Sequence, residues 1–156
     1  MAMRSKVIAT ATLRHRLRTF VPDAEKEMAK AKEVSMADVA RKIAARAPYR
    51  TGEYYESLEA GLVSDNPAAK KRPGYRPVKD PYAVGIFGRY VWRFIEFGTP
   101  EHVNAGIFDG TTHPGTTAYP HVYPTWRANR GSVKKAVRGG LNKAVKKSNA
   151  GRKIRG

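Results

Sequence analysis

The sequence predicts an α+β fold: a small, mainly antiparallel sheet packed by a long N-terminal helix and a C-terminal helix. Three observations lead there. Met28, Ala31, Ser35, Val39, Ile43 and Arg46 recur at a spacing of about 3.6 residues, the period of a helix with one buried face. Tyr54, Glu56, Leu58, Ala60 and Leu62 occupy alternate positions, the period of a strand. Trp126, Val133, Val137, Leu141 and Val145 return to helical spacing. The chain has 156 residues, a length that suits one domain.

Each element has its own warrant. Residues 1–22 read as a basic arm ending at Pro22, with Val7, Ile8, Leu13 and Leu17 as apolar anchors. Asp23 suits the N-cap of the first helix, and Glu25 and Glu27 suit its positive end. Pro48 ends that helix, because the residue before proline avoids the α region. Thr51-Gly52 reads as a turn into a strand over 54–63. Residues 64–80, with Pro67, Pro73, Pro77 and the run Lys70-Lys71-Arg72, read as a loop. Tyr82 to Phe87 is short and apolar and predicts a second strand. Tyr90, Phe94 and Phe97 stand at i, i+4 and i+7 and favour a short helix closed by Gly98. Residues 99–118 read as a second long loop, and Tyr119 to Tyr123 as a short edge strand beside Pro120 and Pro124. The last helix starts at Thr125, with Gly139-Gly140 weakening its centre. The main domain thus covers 23–147, and 148–156 form a basic tail.

The charge is unevenly placed. The net charge is +17, yet residues 23–109 hold all 13 acids against 14 bases, and the other 16 bases lie outside that stretch. A nearly neutral body with two cationic ends points to phosphate or to an acidic protein surface. The basic residues expected to meet that surface are Arg14, Arg16, Arg18, Arg127, Arg130, Lys134, Lys135, Arg138, Lys143, Lys146, Lys147, Arg152, Lys153 and Arg155. There are no cysteines, which removes disulfides and thiolate chemistry and is compatible with a reducing cytoplasm. Met1 to Phe20 lacks the apolar core of a secretory signal, and no apolar stretch is long enough for a membrane span.

Catalytic arrangements are not evident. His102, His113 and His121 with Glu101 and Asp109 follow no metal-ligand spacing of fixed geometry. Ser57 lacks a nucleophile elbow, and Gly85-Ile86-Phe87-Gly88 lacks the lysine of a phosphate-cradling loop. On a strand, Glu56 faces away from Glu53 and Glu59, so these three would not converge on a metal. The aromatic cluster Tyr90, Trp92, Phe94 and Phe97 suits core packing better than base stacking. No enzyme, cofactor or metal site is expected.

Three segments carry a resemblance. They are Ala47-Pro48-Tyr49-Arg50-Thr51-Gly52-Glu53-Tyr54-Tyr55-Glu56-Ser57-Leu58, then Tyr90-Val91-Trp92-Arg93-Phe94-Ile95-Glu96-Phe97-Gly98-Thr99, then Tyr119-Pro120-His121-Val122-Tyr123-Pro124-Thr125-Trp126. Their order resembles the neck or tail-completion (head–tail joining) family of long-tailed bacteriophages and gene-transfer particles, over roughly residues 24–147. The chain departs from the family pattern at Tyr54, where leucine is usual, at Val91, where alanine is usual, at Tyr119 and His121, where arginine and phenylalanine are usual, and at Trp126, where alanine is usual. The resemblance implies structural roles for Pro48, Thr51, Gly52, Glu96, Gly98, Thr99, Pro120 and Pro124. A buried Glu96 needs a cationic or backbone partner, and Arg50 and Arg93 are available.

The resemblance further implies a virion protein, assembled in the bacterial host cytoplasm, that forms a ring of six or twelve copies and joins the DNA-filled head to the tail. Its partners are then further copies of itself, the neighbouring head-completion and tail-terminator or tail proteins, and packaged double-stranded DNA, with no membrane. A different class remains open: a stand-alone basic nucleic-acid-binding protein with cationic extensions. That alternative predicts monomers whose DNA affinity falls steeply with salt.

Overall fold

The computed structural model describes residues 2–66 and 78–153, and in it the chain is α+β, two long helices packing small two-stranded antiparallel ladders. Helix α1 spans Ala2–Ala44 and passes through Pro22 without ending. The expected arm is therefore helical along its backbone, and Asp23 is an interior residue, not a cap. Proline inside a helix removes one hydrogen bond and costs about 3 kcal/mol in isolation, so packing has to offset it. Ala24, Ala29, Val39, Ala40, Ile43 and Ala44 supply that packing, buried along one side of α1.

The end of α1 tightens before Pro48, as the Arg46 N–H bonds the Ile43 carbonyl and the Ala47 N–H bonds the Ala44 carbonyl. Gly52 then takes φ 81°, the left-handed region, and its hydrogen faces the Tyr49 ring, where a Cβ would crowd the hydroxyl. The predicted strand over 54–63 starts later than its alternation suggested. Glu53–Glu56 form a single helical turn, α2, with acids at its positive end and the Ser57 hydroxyl bonded to the Tyr54 carbonyl. Strand β1, Glu59–Leu62, follows and pairs antiparallel with β2, Val84–Phe87, Glu59 opposite Phe87 and Leu62 opposite Val84. A 3-10 turn, Val63–Asp65, leaves β1. The rest of the predicted loop, including Pro67, Lys70, Lys71, Arg72, Pro73 and Pro77, lies outside the described residues.

The short helix predicted around Tyr90–Phe97 is present as α3, Trp92–Phe97, and Gly98 closes it at φ 70°. The segment expected to be a featureless loop, 99–118, contains a small hairpin. Its strands are β3, His102–Val103, and β4, Thr112–His113, with a 3-10 turn, Gly106–Phe108, at the tip. At its base Thr99 and Thr116 exchange two backbone hydrogen bonds of 3.0 Å each, and their hydroxyls meet at 3.0 Å. Tyr119 to Tyr123 forms no strand. Helix α4, Val122–Lys153, already begins there, and Pro124 sits in its first turn, where a missing N–H costs nothing.

Helices α1 and α4 run antiparallel. Lys42 Nζ donates to Asn129 Oδ1 at 2.9 Å, and Lys143 Nζ lies 3.2 Å from Glu27 Oε2. The Gly139-Gly140 pair does not interrupt α4. Gly140 is buried where the helices come closest, and a Cβ there would lie 2.7 Å from the Glu27 carbonyl oxygen. Ala144, one turn on, is buried in the same seam.

Candidate functional site

The centre of the molecule is a buried polar joint. Glu96, near the end of α3, is 3% exposed and accepts hydrogen bonds from the backbone N–H groups of His121 at 2.7 Å, Val122 at 2.8 Å and Tyr123 at 2.9 Å. These are the orphan donors that open α4, a helix with no acid in its own first turn. A carboxylate from a different element thus caps it. Burial by itself raises the pKa of Glu96, but the three N–H donors and the nearby His121 ring outweigh burial and hold it below the ordinary carboxylate value. The expected cationic partners are not used: Arg93 lies over the Trp92 ring at 5.6 Å, and Arg50 is exposed.

His121, also buried, extends the joint. Its Nδ1 lies 2.8 Å from the Tyr119 carbonyl and its Nε2 lies 2.8 Å from the Tyr54 hydroxyl. A carbonyl only accepts, so the assignment that satisfies every atom puts the proton on Nδ1, and Tyr54 O–H then donates to Nε2. Burial, and after it the Glu96 charge, push the Tyr54 phenol up to about 12. The joint therefore joins one residue from each of the three motif segments: Tyr54, Glu96 and His121. Its polar atoms serve each other and the start of α4, which is the work of a structural node.

The other motif residues surround this node. Gly52 turns the chain so that Tyr54 points inward, while Thr51 stays exposed. Gly98 lets the backbone meet the Thr116 carbonyl, and Thr99 closes the hairpin base. Pro120 and Pro124 flank the capped N–H groups, and Pro48 follows the end of α1.

The basic residues take a second face. Arg127, Arg130, Lys134 and Arg138 stand at i, i+3, i+7 and i+11 of α4, so they form one row, and all are exposed. Lys135, Lys143, Lys146 and Lys147 are exposed too, and among the described residues Lys143 alone of these eight pairs with a carboxylate. Arg18 is exposed on α1; the side chains of Arg14, Arg16, Arg152 and Lys153, and all of Arg155, lie outside the described residues.

The histidines do not form one group. His102 and His113 stack across the hairpin with ring centroids 5.0 Å apart, while His121 lies in the joint. Among the described residues no three His, Asp or Glu side chains are placed to hold a metal. Of the three glutamates, Glu53 forms an ion pair with Arg89 and all are exposed.

Sequence reasoning missed the Tyr54–His121 contact, though its signal was present. Both residues depart from the pattern of the family that the motif segments resemble, one from leucine and the other from phenylalanine, and a phenol and an imidazole are chemically complementary. It also missed an apolar recess of about 230 Å³ beside the joint, whose lining includes Met36, Leu58, Ile86, Phe87, Trp92 and Trp126. Compared with family models, curated proteins and solved structures, the chain matches none.

Proposed function

We propose that the chain is a structural protein of a tailed-phage virion, a ring subunit at the head–tail junction that joins the DNA-filled head to the tail as neck, connector or tail-completion protein. One observation carries the reading. The three motif segments that resemble this family are far apart in the sequence, yet Tyr54, Glu96 and His121, one from each, meet in a single buried joint. Three short segments whose likeness arises by chance have no reason to converge; the convergence of the segments supports the reading, although Tyr54 and His121 themselves depart from the family's pattern. The joint fixes the start of α4, and α4 presents the basic row to whatever lies alongside.

In this reading the body makes the ring, in six or twelve copies, and neighbouring head-completion and tail proteins stack above and below. The basic row faces packaged DNA or an acidic ring. Assembly takes place in the host cytoplasm; among the described residues no helix is long and apolar enough to cross a membrane. The exposed row on α4 also suits the alternative, a stand-alone nucleic-acid-binding protein, since such a row tracks phosphates without any ring. Class-averaged images of the purified protein, together with its position in intact virions, separate the two. Closed rings and a location between head and tail are expected. Monomers at every concentration that bind duplex DNA with a steep salt dependence overturn the ring, and a divalent-metal-dependent cleavage activity overturns the structural role.

A further inference from the structure

Exposed aromatic side chains rest on one another at Tyr49–Tyr55, Tyr90–Phe94 and Phe97–Tyr123, so the Tyr90–Phe97 cluster is largely at the surface and not in the core. Two large apolar side chains at the hairpin tip, by contrast, stand out into solvent. Ile107 is 96% exposed and Phe108 is 68% exposed, side by side in the turn between β3 and β4. The tip is not loose. Asn104 N–H bonds the Thr111 carbonyl at 2.8 Å, Asn104 Nδ2 bonds Thr111 Oγ1 at 2.9 Å, and that hydroxyl bonds the Phe108 carbonyl at 2.6 Å. The turn therefore holds two large apolar groups in water in a fixed shape, ready to bind with little loss of freedom.

The same chain carries a recess of matching chemistry. The cavity beside the joint is apolar, opens to the surface and is lined by Trp92, Tyr123 and Trp126 among others. The charges around tip and recess are opposite. Between Phe97 and Arg127 the only charged residues are Glu101 and Asp109, both in the hairpin. Beside the recess, the exposed Arg93 lies over the ring of its lining residue Trp92, and the exposed Arg127 is next to Trp126 in the chain. Two copies of a chain with net charge +17 repel as whole molecules, so an acid-bearing knob facing a recess with an arginine beside it is a way for them to attract. The chain's own tip is exposed and does not fill its own recess.

We propose that Ile107 and Phe108 of one copy seat in the Trp92–Trp126 recess of the next. This rests on the ring reading and deepens it. Knob and recess are different surfaces, so the interface is heterologous, and a heterologous interface repeated around an axis closes a ring, whereas a two-fold interface stops at a dimer.

The chain has two tryptophans, both lining the recess, and no cysteines, and these facts set the experiment. The full-length protein is followed by tryptophan emission as its concentration rises. Emission should move to shorter wavelength as the recess is covered. In Ile107→Ser/Phe108→Ser and in Asp109→Lys, exposed positions whose change leaves the fold intact by circular dichroism, the shift should need roughly tenfold more protein or more. In a second arm, Ile107→Cys/Tyr123→Cys is oxidised and run without reductant. A ladder of covalent oligomers supports the proposal. A covalent monomer means that the tip folds back on its own recess, and overturns it. Rings in the micrograph with unshifted emission and no ladder also overturn it and leave the ring standing. A chain that stays monomeric at all concentrations overturns both.

Discussion

A carboxylate that accepts backbone N–H bonds at 2.7, 2.8 and 2.9 Å is held ionised by donors that do not titrate. The folded Glu96 pKa is below its ordinary value of 4.5, so the unfolded chain binds more protons near that pH. The stabilisation is complete above the unfolded pKa and disappears as pH falls through the folded one. Urea midpoints should therefore drop as pH falls below the ordinary carboxylate value of 4.5, and Glu96→Gln should flatten that part of the profile. At neutral pH the same substitution turns an amide towards amides and should cost about 1–3 kcal/mol, with assembly weakened only in proportion to stability. A stable Glu96→Gln protein that assembles normally yet fails to retain DNA contradicts a purely structural role. Tyr54 and His121 offer a separate check. Tyr54→Leu or His121→Phe alone leaves a buried partner unpaired, at about 1–3 kcal/mol each. The double variant places an apolar pair at the contact, and its cost in denaturant titration should fall below the sum of the two. At this scale the sequence announced that Glu96 matters, as an acid between Ile95 and Phe97. It did not announce the partner, because a backbone N–H has no letter of its own.

Helix period was readable wherever one face is buried, as were the stops at Pro48 and Gly98, but the starts of several elements were not. Tyr54 alternates with Leu58 and Leu62 as in a strand, but the left-handed Gly52 and the Ser57 hydroxyl curl its segment into a turn of helix first. Pro22 looked like a boundary because local sterics oppose proline in a helix, yet packing of Ala24 and Ala29 on the neighbouring helix prevails. Tyr119 to Tyr123 looked like an edge strand because the capping carboxylate is 25 residues away from His121 in the sequence. The glycine pair in α4 gives the sharpest test. By propensity alone, alanine at either position stabilises a helix by about 1 kcal/mol. Gly139 faces open space, so Gly139→Ala should raise the melting temperature. At Gly140 the new methyl would meet the Glu27 carbonyl oxygen at 2.7 Å and its carbon at 3.1 Å, and backbone cannot step aside. Gly140→Ala should destabilise by about 1–3 kcal/mol in the same thermal scan. Equal effects at the two positions would mean that the helices do not approach there.

The antiparallel register of α1 and α4 organises charge over the whole molecule. Lys42 faces Asn129, and Glu27 faces Lys143, so each step back along α1 is a step forward along α4. Continued along both helices, that register sets the α1 turn holding Arg18 beside the end of α4, near Arg152. Arg18 and the last basic residues of α4 then lie at one end of the helix pair, away from the acid-bearing hairpin, whereas Arg127 and Arg130 begin the basic row at the other end, beside Lys42. Replacing Lys134, Lys135, Arg138, Lys146 and Lys147 by glutamine should flatten the salt dependence of DNA binding by roughly 0.9 log units per log unit of salt for each phosphate no longer neutralised. Unchanged DNA affinity with a loosened ring stack would assign the row to an acidic protein neighbour instead. A molecule with a positive pole and an acid-tipped flank is also an electric dipole. In the proposed role, the field of a DNA-filled particle would turn it before it touches, cationic end first. Added salt should slow its docking while leaving the lifetime of the docked state almost unchanged, since orientation acts on the approach and packing on the departure.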